Sequence, residues 1–156
     1  MSSHGRDVPV PAAWRNPEPG RIIGRGHPAG DFLQAYDWLI LEERPGYLKL
    51  DVHLPEHLKN PRGQLFGGFT PTYVDLVALR TVAVTRAPGE PPMGLTTVSL
   101  RVDYFEPIVQ EKFLLESEVI NRRKGTHLVE VRFGGVDGTM LAFAVVTLRD
   151  VARPAR

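Results

Sequence analysis

One long stretch of helical periodicity, standing among segments that alternate with a period of two, restricts this chain's fold more than any other feature. From Gly67 or Gly68 to Arg86, apolar residues recur three and four apart: Phe69, Tyr73, Leu76, Val77, Leu79, Ala83 and Val84. That spacing predicts an α-helix of roughly five turns, apolar on more than one side. Pro71 must then sit in the first turn, where a missing N–H costs little, and Pro88-Gly89 is the expected stop.

Elsewhere the period falls to two. Trp38–Glu43 and Tyr47–Leu54 flank Arg44-Pro45-Gly46 and predict a hairpin, with Leu48, Leu50, Val52 and Leu54 alternating with Lys49, Asp51 and His53. After the helix, Thr96–Tyr104, Lys112–Asn121, His127–Val136 and Thr139–Leu148 read as strands. Val98, Leu100, Val102 and Tyr104 share one face of the first, and Asp137-Gly138 is a tight-turn pair between the last two. A hairpin, one helix and then consecutive strands has no βαβ rhythm. The order predicts an α+β domain, an antiparallel sheet packed on one long helix.

The 156 residues suffice for one domain with a real core. Residues 1–30 carry Pro9, Pro11, Pro17, Pro19 and Pro28 with five glycines and no periodicity. They read as an irregular arm, partly disordered or lying over the body. Residues 31–150 form the domain and 151–156 a tail. Within the domain, Asp31–Tyr36 predicts a short helix capped by Asp31, and Pro55–Leu65 a loop.

Composition removes several function classes. There is no cysteine, hence no disulfide, thiolate ligand or cysteine nucleophile, which fits a reducing compartment. Lys and Arg total 19 against 18 Asp and Glu, so no one-sided basic surface for nucleic acid is expected. No apolar leader stands in residues 1–30 and no run approaches ~18 apolar residues, so a cytoplasmic protein without membrane contact is expected.

Common catalytic motifs fail. His53-Leu-Pro-Glu56-His57 matches a zinc-protease spacing, but both histidines must share a helix face, and Pro55 interrupts. Gly24, Gly26 and Gly30 have the wrong spacing for a dinucleotide loop. No G-x-S-x-G elbow or Walker loop is present.

One constellation survives. Asn60-Pro-Arg-Gly63-Gln-Leu-Phe66-Gly67-Gly68 leads into the helix that carries Asp75. A glycine pair at a helix N-terminus exposes N–H groups, reinforced by the helix dipole, to a developing negative charge. Asp75 is either a solvated helix residue or a functional carboxylate. Arg122-Arg123-Lys124, before Gly125, is either a solvated turn or a phosphate site. His127 reads as a strand residue, and Trp14 and Trp38 as packing anchors.

From about residue 36 to 150 the sequence resembles the PaaI-type hotdog thioesterases. Their signature is an Asn, a Gly, then His-Gly-Gly opening the long central helix, with an acid nine residues after the His. Here Asn60 stands seven before Gly67, Gly67-Gly68 match the glycine pair, and Asp75 stands nine after Phe66. Thr96–Tyr104, closed by Phe-Glu-Pro107, is similar to the strand of the family that ends in an aromatic and a proline. Alignment on Pro107 places Thr97 where relatives keep a Ser or Thr that orients water.

The resemblance implies a hotdog fold, with an antiparallel sheet wrapped around one long central helix. It also implies acyl-CoA hydrolysis: Asp75 as base or nucleophile, Thr97 aligning the water, Gly67 N–H with the Asn60 amide polarising the carbonyl, and no cofactor or metal. Phe66 and Gly68 would border the substrate, and Arg122, Arg123 and Lys124 would hold the phosphates of coenzyme A. The pocket would lie between subunits of a homodimer or a homotetramer built as a dimer of dimers. The departure is Phe66, which replaces the family His and has no proton to exchange. A thiol leaves readily as thiolate, its pKa being near ~8.5. Phe66 therefore leaves open two readings, a working thioesterase and a non-catalytic acyl-CoA binder.

Overall fold

The two periodicities separate cleanly in the computed structural model, which describes residues 13–87, 90 and 94–152. Six strands form one sheet: β1 (Leu39–Arg44), β2 (Tyr47–His53), β3 (Gly94–Tyr104), β4 (Lys112–Arg123), β5 (Thr126–Gly134) and β6 (Met140–Val151). Their order is β1-β2-β4-β5-β6-β3, and every neighbouring pair is antiparallel. A short helix, α1 (Pro28–Leu33), precedes the sheet, and the long helix, α2 (Thr70–Thr85), packs across β2 to β6. The sheet wraps round one central helix, which is the hotdog fold.

Alternation decides which sides face inward. On β2, Leu48, Leu50 and Val52 are buried against α2 while Lys49, Asp51 and His53 face outward. On α2 the buried stripe is Tyr73, Val74, Val77, Ala78, Thr81 and Val82, leaving Leu76 and Leu79 on a half-buried flank. Tyr73 stacks on the fully buried Trp38, centroids 5.4 Å apart, and Phe113 and Phe133 close the cluster. Each such ring removes apolar surface worth ~1.5–3 kcal/mol from water. Two of the buried polar residues, Thr81 and Ser117, are hydrogen-bonded to one another at 2.7 Å.

Several boundaries differ from expectation. α1 begins at Pro28 and is capped by His27 rather than Asp31, because Pro28 takes the first turn and the His27 ring accepts the Gly30 N–H. Gly67–Phe69 is a 3-10 turn ahead of α2. The β5–β6 connection runs from Gly135 to Thr139 and is longer than a two-residue turn; Asp137 Oδ1 accepts the Thr139 N–H and Gly138 takes φ 89°. Pro88-Gly89 lies outside the described residues, as do residues 1–12 and 153–156. Within the arm, Ile22 and Ile23 are buried and Arg21 donates to the Asp37 and Trp38 carbonyls, which ties residues 13–30 to the body.

The zinc-like pair is taken apart. His53 Nε2 meets Gln34 Oε1 at 2.9 Å and His57 Nε2 meets the Phe32 carbonyl at 2.7 Å. Among the described residues, no cluster of three metal-ligating side chains occurs and no helix is long and apolar enough to cross a membrane.

Candidate active site

Asp75 projects from the second turn of α2 on the flank that carries Leu76 and Leu79. Thr97 faces it from β3, at a bulge where the register with β6 shifts between Thr97 and Ser99. Such a bulge re-aims side chains at a sheet edge. Thr97 Oγ1 donates to Asp75 Oδ1 at 2.5 Å. Together they line a hollow of about 320 Å³ whose other walls include Pro71, Thr72, Leu100, Ala29 and His27. The carboxylate thus meets one hydroxyl donor in a largely apolar setting. The arrangement can hold a water or a carbonyl carbon beside a base.

Asn60 and Gly67 line a second hollow, with Gln64, Tyr104, Phe105 and Glu106. Asn60 braces its own loop with its carbonyl oxygen and one of its two amide hydrogens. Its Oδ1 accepts the Arg62 and Gln64 N–H groups at 2.9 and 3.1 Å, and its Nδ2 reaches Gln64 Oε1 at 3.3 Å. That Asx-type turn shapes the approach to the glycines. Gly67 and Gly68 are exposed, and among the described residues neither N–H has an acceptor. Two free N–H groups at a helix start suit an incoming negative charge.

Gly68 lets the Phe66 ring settle over the start of the helix. A Cβ there would lie 2.9 Å from the Phe66 ring, which folds over it and packs edge-on against Phe69 at 5.1 Å. Phe66 itself is half exposed, on the rim of the glycine pair. Sequence reading gave Tyr104 no role beyond its strand face. The structure turns its hydroxyl onto the Gly67 carbonyl at 2.5 Å.

The basic run lines neither hollow. Lys124 and Gly125 make the β4–β5 turn with φ 50° and 74°, and Arg122, Arg123 and Lys124 are exposed. Arg122 is held by Glu90 at 2.9 Å, and that bond draws the Glu90 carboxyl below its ordinary range. His127 is buried in its strand, bonded through Nε2 to Asp150 at 2.9 Å, and Arg86 at the end of α2 meets the same carboxylate. This triad ties α2 to β5 and β6.

Within the chain, then, Asp75 joins Thr97 and Asn60 joins Gly67, in separate hollows. Both open beside β3, an edge strand whose Val98 and Tyr104, with adjacent Phe105, are 52%, 54% and 58% exposed.

Residues 62–141, just over half of the chain, match the model of the thioesterase superfamily. No curated protein matches the sequence. Among solved structures, a thioesterase family protein from Silicibacter pomeroyi superposes with a TM-score of 0.68 at 21% identity, over 81% of this chain and 91% of that one. A thioesterase from Haemophilus influenzae gives 0.69 at 12%, over 82% and 85%. A hypothetical thioesterase protein from Streptococcus pneumoniae, solved with coenzyme A, gives 0.66 at 15%, over 76% and 89%.

Proposed function

This chain belongs to the thioesterase superfamily, and from that membership we propose that it hydrolyses acyl-CoA thioesters to the free acid and coenzyme A. The carrying observation is the Thr97–Asp75 hydrogen bond inside the apolar hollow. A structural carboxylate on a helix flank does not need a threonine from an edge strand aimed at it.

In this reading Asp75 takes a proton from water as the oxygen adds to the thioester carbon. Thr97 holds Asp75 Oδ1, leaving the second oxygen for the water. The carbonyl becomes an oxyanion, stabilised by the Gly67 N–H with help from Gly68. Collapse re-forms the C=O and breaks the C–S bond, and the thiolate leaves with the electron pair. Asn60 builds the loop ahead of the glycines, and its second amide hydrogen is a further donor for the carbonyl. Carboxylate-activated water and backbone donors are chemically sufficient, so the scheme calls on no cofactor. The S. pneumoniae relative holds coenzyme A, which supports a CoA thioester as the substrate type.

The base and the glycines belong to different hollows, so a complete site takes two copies of the chain, Asp75 and Thr97 of one facing Gly67 of the other. The exposed apolar residues on and beside edge strand β3 support such pairing, since an unpaired apolar edge is otherwise a liability. Thiol release from a panel of acyl-CoAs, alongside calorimetry, tests the reading. Turnover supports it. Binding without turnover favours the non-catalytic binder that Phe66 permits, and neither result would leave the thioesterase reading without a basis.

A further inference from the structure

Two polar residues in the wall of the hollow around Asp75, Thr72 and His27, have no part in this reaction, and His27 is the one with a fixed ring. His27 lines it from the loop before α1. Its ring is fixed on two sides. Nδ1 accepts the Gly30 N–H at 3.1 Å as the cap of α1, and the Trp14 indole meets the ring edge-on, centroids 4.9 Å apart at 80°. The Trp14 carbonyl in turn accepts the Gly24 N–H at 3.2 Å, and buried Ile22 and Ile23 anchor the segment. A ring nitrogen that accepts an amide hydrogen carries a lone pair, so this hydrogen bond assigns the proton of the neutral imidazole to Nε2. Among the described residues nothing accepts from that Nε2–H.

The surroundings define what it can serve. Ala29, Pro71, Leu76, Leu79 and Leu100 are apolar, and among the described residues Asp75 is the one acidic side chain in the lining and no Lys or Arg joins it. Apolar walls favour a hydrocarbon body. The carboxylate disfavours a second anionic group on the ligand, with no cation nearby to offset it. A fixed N–H donor favours a ligand oxygen over a methylene, which would leave the donor unpaired on closure.

We propose that His27 is a specificity-determining residue, and that through Nε2–H it selects acyl groups bearing an uncharged acceptor oxygen, a hydroxyl or keto group, beyond the thioester carbonyl. This rests on the thioesterase reading of Asp75. The amide carbonyls of the pantetheine arm offer the same chemistry from the other end of the substrate. The apolar lining assigns the hollow to the acyl end.

The test compares butyryl-CoA with 3-hydroxybutyryl-CoA and acetoacetyl-CoA, in wild type and in His27→Asn. Asparagine keeps an oxygen to cap α1 and removes the imidazole, and its shorter amide N–H stops well short of the Nε2 position. Wild type should prefer the two oxygenated substrates. In the variant their kcat/KM should fall roughly five- to twentyfold, with butyryl-CoA within about twofold. An equal loss on all three overturns the assignment and points to the pantetheine amides, and no change overturns it outright. Melting curves accompany both proteins, and His27→Gln, whose longer side chain can bring an amide N–H close to the Nε2 position, should keep part of the preference. If no thioester turns over, the hydrolase reading fails while His27 stays testable: the calorimetric Kd ratio between acetoacetyl-CoA and butyryl-CoA should still collapse in His27→Asn. An unchanged ratio there would sink the proposal.

Discussion

The Tyr104 hydroxyl donates to the carbonyl oxygen of Gly67 at 2.5 Å. That carbonyl and the Gly68 N–H belong to one planar trans peptide. Holding the oxygen on one side therefore aims the Gly68 N–H to the other, and polarises it. The Tyr104 ring also rests 3.8 Å from where a Cβ on Gly67 would stand.

Tyr104→Phe removes this bond and keeps the ring. If the peptide is a transition-state donor, kcat should drop by roughly three- to thirtyfold, less than the loss of a whole oxyanion donor, with KM nearly unchanged. Because Tyr104 is half exposed, the melting temperature should stay close to that of wild type. Steady-state thiol release and a melting curve read both. A change in KM alone would make the contact one of substrate binding.

Asp75→Asn keeps the shape and removes the charge and basicity. kcat should fall by roughly 10²–10⁴ while affinity survives. Thr97→Val should cost less, about tenfold, since it frees Asp75 Oδ1 without removing the base. The double variant should be no worse than Asp75→Asn, because Thr97 acts through Asp75. Activity of Asp75→Asn within about threefold of wild type would remove Asp75 from the mechanism, as a lost base costs far more.

Arg122→Ala with Arg123→Ala tests the basic turn as a phosphate clamp. Contacts remote from the thioester bind ground and transition states alike, so KM for CoA thioesters should rise with kcat steady. Because Arg122 already pairs with Glu90, its gain from phosphate is a difference between two anions, and the rise should be modest, about three- to tenfold. A truncated thioester lacking the nucleotide should show no change. An equal rise with both substrates would assign these arginines to the turn alone.

Pairing of two copies is open to direct measurement. Sedimentation at micromolar protein should give a species at least twice the mass of the chain, which is 17.4 kDa. Val98→Asp places a charge on the exposed apolar edge of β3, so it should dissociate the oligomer and abolish turnover together. A fully active monomer would mean that one protomer completes the site by itself.

The elements were legible because their periods are. Alternation along Leu48, Leu50 and Val52 and the three-and-four spacing through Tyr73 and Val77 are properties of neighbouring residues, and the sheet and helix follow them. The glycine pair was legible for the same reason, being contiguous with the helix it opens. The partnership of Thr97 with Asp75 crosses 22 positions; only the resemblance put the two at one site, and the bond forms where the register of β3 shifts. His27 carried no local signal at all. It sits in a segment without periodicity, and its place in the hollow depends on Ile22 and Ile23 anchoring the arm. Tyr104 read correctly as a strand residue, yet its bond to Gly67 requires β3 to be an edge strand beside the start of α2, which follows from topology rather than pattern.

Asp150 sits at the junction of Arg86, at the end of α2, and His127, which is buried in β5. Burial pushes its carboxyl up, but the hydrogen bonds and charges of His127 and Arg86 outweigh that and hold it below the ordinary range. A carboxyl depressed in the folded state stabilises the fold fully above its unfolded pKa, near ~3.9, and loses that contribution as pH falls through the lower folded value. Asp150→Asn should therefore cost roughly 1–3 kcal/mol at pH 7, where it leaves Arg86 short of a partner and deprives the buried His127 of a charged acceptor. The gap to wild type should narrow progressively below about pH 4, as Asp150 of the unfolded chain takes up its proton, until at the lower folded value the native carboxyl is neutral too. Urea midpoints of both proteins, taken in steps from pH 7 to pH 3, measure the gap directly. A gap of constant size down to pH 3 would mean that the carboxylate's charge adds nothing, and that the triad holds α2 to the sheet through neutral hydrogen bonds.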